Sequence, residues 1–208
     1  MKIMLDEQEL SLPEGILNGG KKAILEFVQK RALAVRSVIV EIVVDGESLC
    51  DEDAFLALSG GLDIRFVSQP IRDLVKESLD EADRYFRLLP DGLESVATLF
   101  EQKNDAEAEG KFAQLIEGIE WLLQVFGKSC TLLGVNPYDI KVGNFVRDTE
   151  ALNKALEKLA DAKADGRTRE VAWILREELL PVVKSLPIYW SELRGQLEIG
   201  RASCRERV

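Results

Sequence analysis

The 208-residue chain contains no histidine. The commonest general base and the commonest transition-metal ligand are therefore missing, and with them every Ser–His and Cys–His nucleophile pair. Cysteine is scarce as well. Cys50, Cys130 and Cys204 are scattered, odd in number and without a Cys-x-x-Cys pair, which reads as reduced thiols in a cytoplasmic protein with no metal and no cofactor. Basic residues are in deficit: 27 Lys plus Arg stand against 37 Asp plus Glu, a formal net charge of -10. That sign of charge repels phosphate backbones and anionic lipid, so neither nucleic acid nor a membrane is an expected partner. No run approaches the roughly 18 apolar residues of a membrane span. Met1 to Leu12 alternates charged and apolar residues, unlike a signal peptide.

What is present suffices for a packed core: 46% hydrophobic residues with 31% charged ones place the bulk of the chain among folded globular proteins. Two regimes meet near Pro70. Before it, Lys2 to Asp6 and Glu9 to Leu12 predict a hairpin, and Ala23, Ile24, Phe27, Val28, Ala32 and Leu33 follow helical spacing after Gly19-Gly20. Val38 to Val44, closed by Asp45-Gly46, predicts a central strand, with Val38, Val40, Ile42 and Val44 on one face. Leu62 to Ser68 predicts another, Ile64 and Phe66 alternating with Asp63 and Arg65. Two strands, a helix and two strands resemble a β-grasp fold, by topology and not by motif.

After Pro70 helical periodicity takes over. Ile71, Val75, Leu79, Ala82, Phe86, Leu89, Leu93, Val96 and Phe100 form one apolar seam, across which Pro90 predicts a kink or short break. Phe112, Leu115, Ile119, Leu122, Phe126, Cys130 and Leu133 form a second, and Gly134 to Gly143 a loop. Leu152, Leu156 and Leu159 mark a third helix. Val171, Leu175, Leu179, Val182, Leu186, Trp190 and Leu193 mark a fourth, strained at Pro181 and Pro187. An antiparallel four-helix bundle satisfies four such seams. The expected class is thus α+β: a β-grasp-like domain over residues 1–69 and a bundle over 70–197. Leu79, Phe86, Leu122, Phe126, Leu156 and Leu179 are the expected core. Residues 198–208 change composition abruptly, resemble a translated cloning scar, and are expected to be unstructured.

Motifs for chemistry fail on inspection. Gly15 to Lys22 imitates a phosphate-binding loop and Val40 to Asp45 its metal-holding strand, but Lys22 stands where a Ser or Thr hydroxyl is required. The helical carboxylates Glu77, Asp80, Glu81, Asp83, Glu117, Glu120, Glu177 and Glu178 lie mostly off the seams. They read as a solvated face with i,i+4 partners such as Asp80 to Arg84 and Asp83 to Arg87. Cys130 reads as a small hydrophobe on a seam, and Cys50 precedes Asp51-Glu52-Asp53, whose charge disfavours a thiolate. Trp121 and Trp173 flank seams.

In general outline the chain resembles cytosolic proteins of bacteria, a resemblance that transfers no site residue. The function that fits is a non-catalytic protein-interaction module, an adaptor, scaffold or secretion- or flagellar-type chaperone, binding another protein. Its expected anchor is Ile188, Tyr189 and Trp190: three large side chains beside two prolines cannot all face one seam, so at least one, Ile188 or Tyr189, is expected at the surface, the alternative being that they cap the bundle's own core. The alternatives are a small-ligand sensor with a pocket between the two domains and a His-independent enzyme using carboxylates.

Overall fold

The structure, a computed structural model, describes residues 2–49, 51–60, 63–103 and 105–205. It is α+β, with a mixed five-stranded sheet and a larger helical part, and divides into two compact units, one ending at Leu74 and one beginning at Val75.

The first unit contains β1 (Lys2–Leu5), β2 (Gln8–Glu9), α1 (Glu14–Asn18), α2 (Gly20–Ala34), β3 (Ser37–Val44), β4 (Glu47–Leu49), α3 (Glu52–Ala57) and β5 (Asp63–Pro70). The strand order is β2-β1-β5-β3-β4; β1 and β5 run parallel and the other pairs antiparallel. Ile24, Leu25 and Val28 of α2 close a core over Ile3, Ile42, Val44, Phe55, Ile64 and Phe66. The expected hairpin forms, but its second strand is only Gln8–Glu9, and Leu12 lies outside it. Leu62, expected to open β5, is outside the described residues, and so is Cys50.

β3 departs from the simple alternation. Its pairing with β5 skips Val40, so Ile39 opposes Ser68 and Glu41 opposes Val67. Such a bulge inserts one residue and reverses the facing of everything on one side of it. Ile42 and Val44 therefore face the core while Val40 is exposed. Among the described residues β4 covers only Ile42 to Val44, and over that stretch β3 is central.

The helical unit takes up α4 (Ile71–Glu101) from Val75, followed by α5 (Asp105–Leu133), a 3-10 turn (Pro137–Asp139), α6 (Phe145–Ala164), α7 (Thr168–Trp173), a π-helical segment (Ile174–Leu179), α8 (Leu180–Ser185) and α9 (Pro187–Arg205). α4 continues through Pro90 without the expected break. Its seam from Val75 to Phe100 is buried throughout, which is what holds the two halves in one helix. Ring pairs run Phe100 to Phe112 and Tyr85 to Trp121, so α4 and α5 are antiparallel. Pro187 opens α9, whereas Pro181 lies just past the π segment, after Leu180, inside a continuous helical run. The π segment ahead of α8 inserts part of a turn and brings Val183, not Val182, inside.

Leu79, Phe86, Leu122, Phe126 and Leu179 are buried as expected. Leu156 is only half-buried: the inner stripe of α6 is Asp148, Leu152, Ala155, Leu159 and Ala162, and Leu156 lies at its edge. The backbone is helical through Arg205, where an unstructured end is expected; the side chains from Glu198 on lie outside the described residues. Among the described residues no helix is long and apolar enough to cross a membrane.

Candidate functional site

A groove runs along α4 and α5. One hollow of about 290 Å³ is lined by Leu89, Gly92, Ser95 and Val96 of α4 and by Lys111 and Leu115 of α5. A second, of about 470 Å³, is lined by Glu81, Arg84, Glu117, Gly118 and Trp121. Tyr85, Leu88 and Gln114 line both, so the two are continuous. Leu88 stands in the middle at 67% exposure, one phase off the buried seam of α4. An isolated exposed leucine needs no explanation. Leu88 is set apart by its place between the two hollows, both of which it lines.

Glycine shapes the floor. Tyr85 lies across Gly118, and a Cβ there would overlap the tyrosine hydroxyl. With that seat available the Tyr85 ring sets its edge against Trp121, centroids 5.9 Å apart. Burial raises the Tyr85 phenol above its ordinary pKa, so it stays neutral. Glu81 and Arg84 of α4 and Glu117 of α5 line the same hollow as this aromatic pair. Lys111 at the other end is already held by Glu107 at 2.8 Å.

A second polar feature lies inside the helical unit. Asp148, in the first turn of α6, is 8% exposed. The Tyr189 hydroxyl donates to Asp148 Oδ2 at 2.7 Å, and the Arg147 guanidinium gives two bonds of 3.0 Å to Oδ1. Ser185 Oγ lies 3.4 Å from Oδ2, and the Asn144 backbone N–H donates to the Tyr189 oxygen at 3.1 Å. Burial alone would push the Asp148 carboxyl up; the bonds from Tyr189 and Arg147 outweigh it, and its pKa falls below the ordinary range. The Tyr189 phenol moves up, through burial and then through its bond to the carboxylate. An acceptor kept ionised and a phenol kept protonated form a fixed clasp tying α9 to the start of α6, with no group poised to transfer a proton at neutral pH.

The sign of the resulting pH dependence follows. A carboxyl whose pKa is lower folded than unfolded contributes stability above the unfolded value and loses it as pH falls through the folded one. Asp148→Asn is therefore expected to cost about 1–2 kcal/mol at pH 7, and progressively less as pH drops below 3.8, the ordinary carboxylate value. Urea unfolding followed by tryptophan fluorescence reads this, because Trp121, Trp173 and Trp190 all belong to the helical unit. An unchanged difference at pH 3 would show that the carboxylate charge is not involved.

Of the three residues expected as a partner anchor, the structure leaves one outside. Ile188 is 45% exposed, whereas Tyr189 and Trp190 are buried, Tyr189 in the clasp and Trp190 between Phe86 at 4.8 Å and Phe126 at 4.6 Å. The reason is phase: positions 186, 189, 190 and 193 form one inward stripe on α9, which Ile188 misses. Among the described residues the Trp190 Nε1 finds no hydrogen-bond partner. Trp173, at the end of α7, is 54% exposed, which its place beside Ile174 does not reveal.

Several of the acidic residues tie helices together. Asp80 and Asp83 both pair with Arg194 of α9, not with Arg84 and Arg87 as helical spacing predicts. Arg176, carried by the π segment, reaches Glu94, Glu101 and Thr98 of α4, and Glu178 pairs with Lys158 at 2.5 Å. Among the described residues no group of acids and cysteines has the geometry of a metal site. Burial pushes the Cys130 thiol up to about 11, so it is no thiolate at neutral pH. Lys21, from the phosphate-loop imitation, donates to the Leu58 carbonyl at 2.8 Å, and Asp45 accepts from the Asp63 N–H at 2.8 Å.

A family model described as "Domain of unknown function (DUF8042)" matches residues 77–188. The match covers more than half of the chain, and the chain belongs to that family. It contains the whole α4–α5 groove and Asp148. No curated protein and no solved structure matches the chain.

Proposed function

We propose that this member of the DUF8042 family is a non-catalytic protein-interaction module, an adaptor or chaperone, whose α4–α5 groove receives an amphipathic helix of a basic partner protein. The observation that carries this reading is the continuous groove with Leu88 exposed at its centre. Its length supports a helical occupant: residues 81 to 96 of α4 line it, which at the helical rise is ~22 Å, or about four turns. Two hollows one after the other suit two apolar anchors a turn or two apart on one helix face. Charge supports a basic partner. Glu81 and Glu117 line the hollow of the Tyr85–Trp121 pair together with Arg84, an excess of one carboxylate beside an aromatic face that a lysine or arginine would meet. The net charge of -10 steers such a partner in.

The finer architecture belongs to the same proposal. Pairing of α4 with α5, α6 with the π segment, and α9 with α4 and α5 supports an antiparallel four-helix bundle. The order β2-β1-β5-β3-β4, with a parallel middle pair under α2, supports a β-grasp-like first unit. The acidic charge and lack of histidine support a cytoplasmic protein that works without cofactor, nucleic acid or membrane.

The test is to pan a display library of helical peptides against the full chain and measure the winners on variants. Winners are expected to carry an apolar stripe with Lys or Arg beside it. Leu88→Glu and Gly118→Ala should each weaken them by about tenfold or more, a loss of the size expected at a central anchor. Gly118→Ala acts by evicting Tyr85 from its seat while adding helix propensity, so the fold should survive. Peptides that bind both variants as well as the parent protein would remove the groove from the account. A dimer broken by Leu88→Glu would make the occupant a second copy.

A further inference from the structure

We infer that the outer edge of β3, from Ser37 to Val40, accepts an extended segment of a partner protein as an added strand, one that alternates apolar side chains with lysine or arginine. This surface lies in the first unit and does not depend on the α4–α5 groove.

The first support is the hydrogen-bond ladder. β5 pairs with β3 from Ser37 to Val44 except at Val40, whereas among the described residues β4 pairs with it only from Ile42 to Val44. Among the described residues nothing pairs with the outer side of Ser37 to Val40. Four residues of strand present ~14 Å of main-chain donors and acceptors, enough to seat a short strand. Open edges are normally blunted by lysine, proline or an inward charge. This stretch reads Ser37-Val38-Ile39-Val40 and has none of these; its one protective device is the bulge at Val40, which leaves Ser37 to Ile39 in regular register.

The second support is the surface beside that edge. A hollow of about 200 Å³ between α2 and β3 is lined by Leu33, Val38 and Ile39, with Gln29 and Glu52 at its rim. A smaller one of about 70 Å³ opens between Ile39 to Ile42, Leu49 and Asp51-Glu52. Ile39 and Glu52 line both, so the hollows follow the free edge. Leu33 is 55% exposed although it borders the first of them. An added strand would put alternate side chains into these hollows and the others outward.

Charge then selects the occupant. The ionisable residues lining the two hollows are Glu41, Asp51 and Glu52, with no lysine or arginine among them. Asp51 caps the Ala54 N–H and Glu52 accepts from Gln29, yet each carboxylate keeps further acceptor capacity. A second copy of β3 would bring its own Glu41 against this acidic rim, so edge-to-edge self-pairing is disfavoured. A basic, apolar, extended segment of another protein fits.

Random heptapeptides displayed against the full chain test this, with winners measured on the full chain and on Glu41→Lys and Leu33→Lys. Both substitutions are at exposed positions. Winners mapping to this surface are expected to alternate Val, Ile or Leu with Lys or Arg. Each variant should weaken them by about tenfold or more, through the lost charge match or the lost apolar wall. Backbone N-methylation of the winning peptide gives the second reading, which needs no change to the protein. Methylating the peptide N–H groups of one alternate phase should abolish binding, while the other phase is tolerated. Winners without basic residues, or equal tolerance of both phases, or no winner sensitive to Glu41→Lys and Leu33→Lys, would each overturn the inference.

Discussion

Trp190→Ala is expected to destabilise the helical unit by about 3–5 kcal/mol, the range for removing a large aromatic side chain from a packed interior. The Trp190 ring sits edge-on to Phe86 of α4 and against Phe126 of α5, and Phe126 stacks in turn on Phe145 of α6 at 5.4 Å. Three helices would have to move together to fill the space, so the cavity term applies almost in full. Trp190→Phe should cost distinctly less. It keeps an aromatic ring between Phe86 and Phe126 and removes the indole N–H that has no partner among the described residues. Denaturant unfolding followed by the fluorescence of Trp121 and Trp173 measures both. A loss under 1 kcal/mol for Trp190→Ala would place the ring outside the core and restore it as a candidate partner anchor.

Gly143→Ala is expected to cost about 2–5 kcal/mol, through two separable causes. Gly143 has φ +67, where a side chain is strained, and a Cβ there would lie 2.7 Å from the Tyr189 hydroxyl oxygen and 3.1 Å from Cζ. Tyr189 has no freedom to yield, because Asp148, the Asn144 N–H and the edge-on Phe145 ring fix it. Gly134 and Gly166 share φ +67 but have open space at the Cβ position. Alanine at either should carry the backbone strain alone, about 1–2 kcal/mol. The excess at Gly143 should shrink in a Tyr189→Phe background, a coupling that a double-mutant cycle isolates. Equal losses at all three glycines would mean that Tyr189 moves aside and the clasp is loose.

The parts of the fold that were legible in the sequence are those where one period governs a long stretch. The 3–4 steps from Val75 to Phe100 place every buried residue of α4 except Ala97, and they override Pro90 because a shared core holds both halves in line. Legibility fails where a single residue resets the phase. The bulge at Val40 hides which face of β3 is inside, and the π segment moves Val182 out in favour of Val183. Small residues mislead in the same way, as on α6, where Ala155 takes the inner position that Leu156 seems made for. Ion pairs were the least legible. Asp80 with Arg194 joins positions 114 apart in the chain, and nothing in local spacing prefers it over Asp80 with Arg84.

The same physics explains why the candidate site was missed. Ile188, Tyr189 and Trp190 attract attention by size, but two of them fall on the inward stripe of α9. The groove is built from residues that look ordinary one by one. Gly118 matters only because Tyr85 lies over it, and Leu88 only because the surface around it is hollow. One signal was available: Leu88 is a leucine outside the seam of a strongly amphipathic helix, four positions after Arg84 and three before Asp91.

Amide hydrogen exchange on the full chain, with and without a saturating helical peptide selected against it, tests the α4–α5 reading most directly. Slowed exchange is expected over residues 81–96 and 111–121, and it should disappear in Leu88→Glu at the same peptide concentration. Protection centred on α9 around Ile188, or on α7 around Trp173, with α4 and α5 unchanged, would contradict the account.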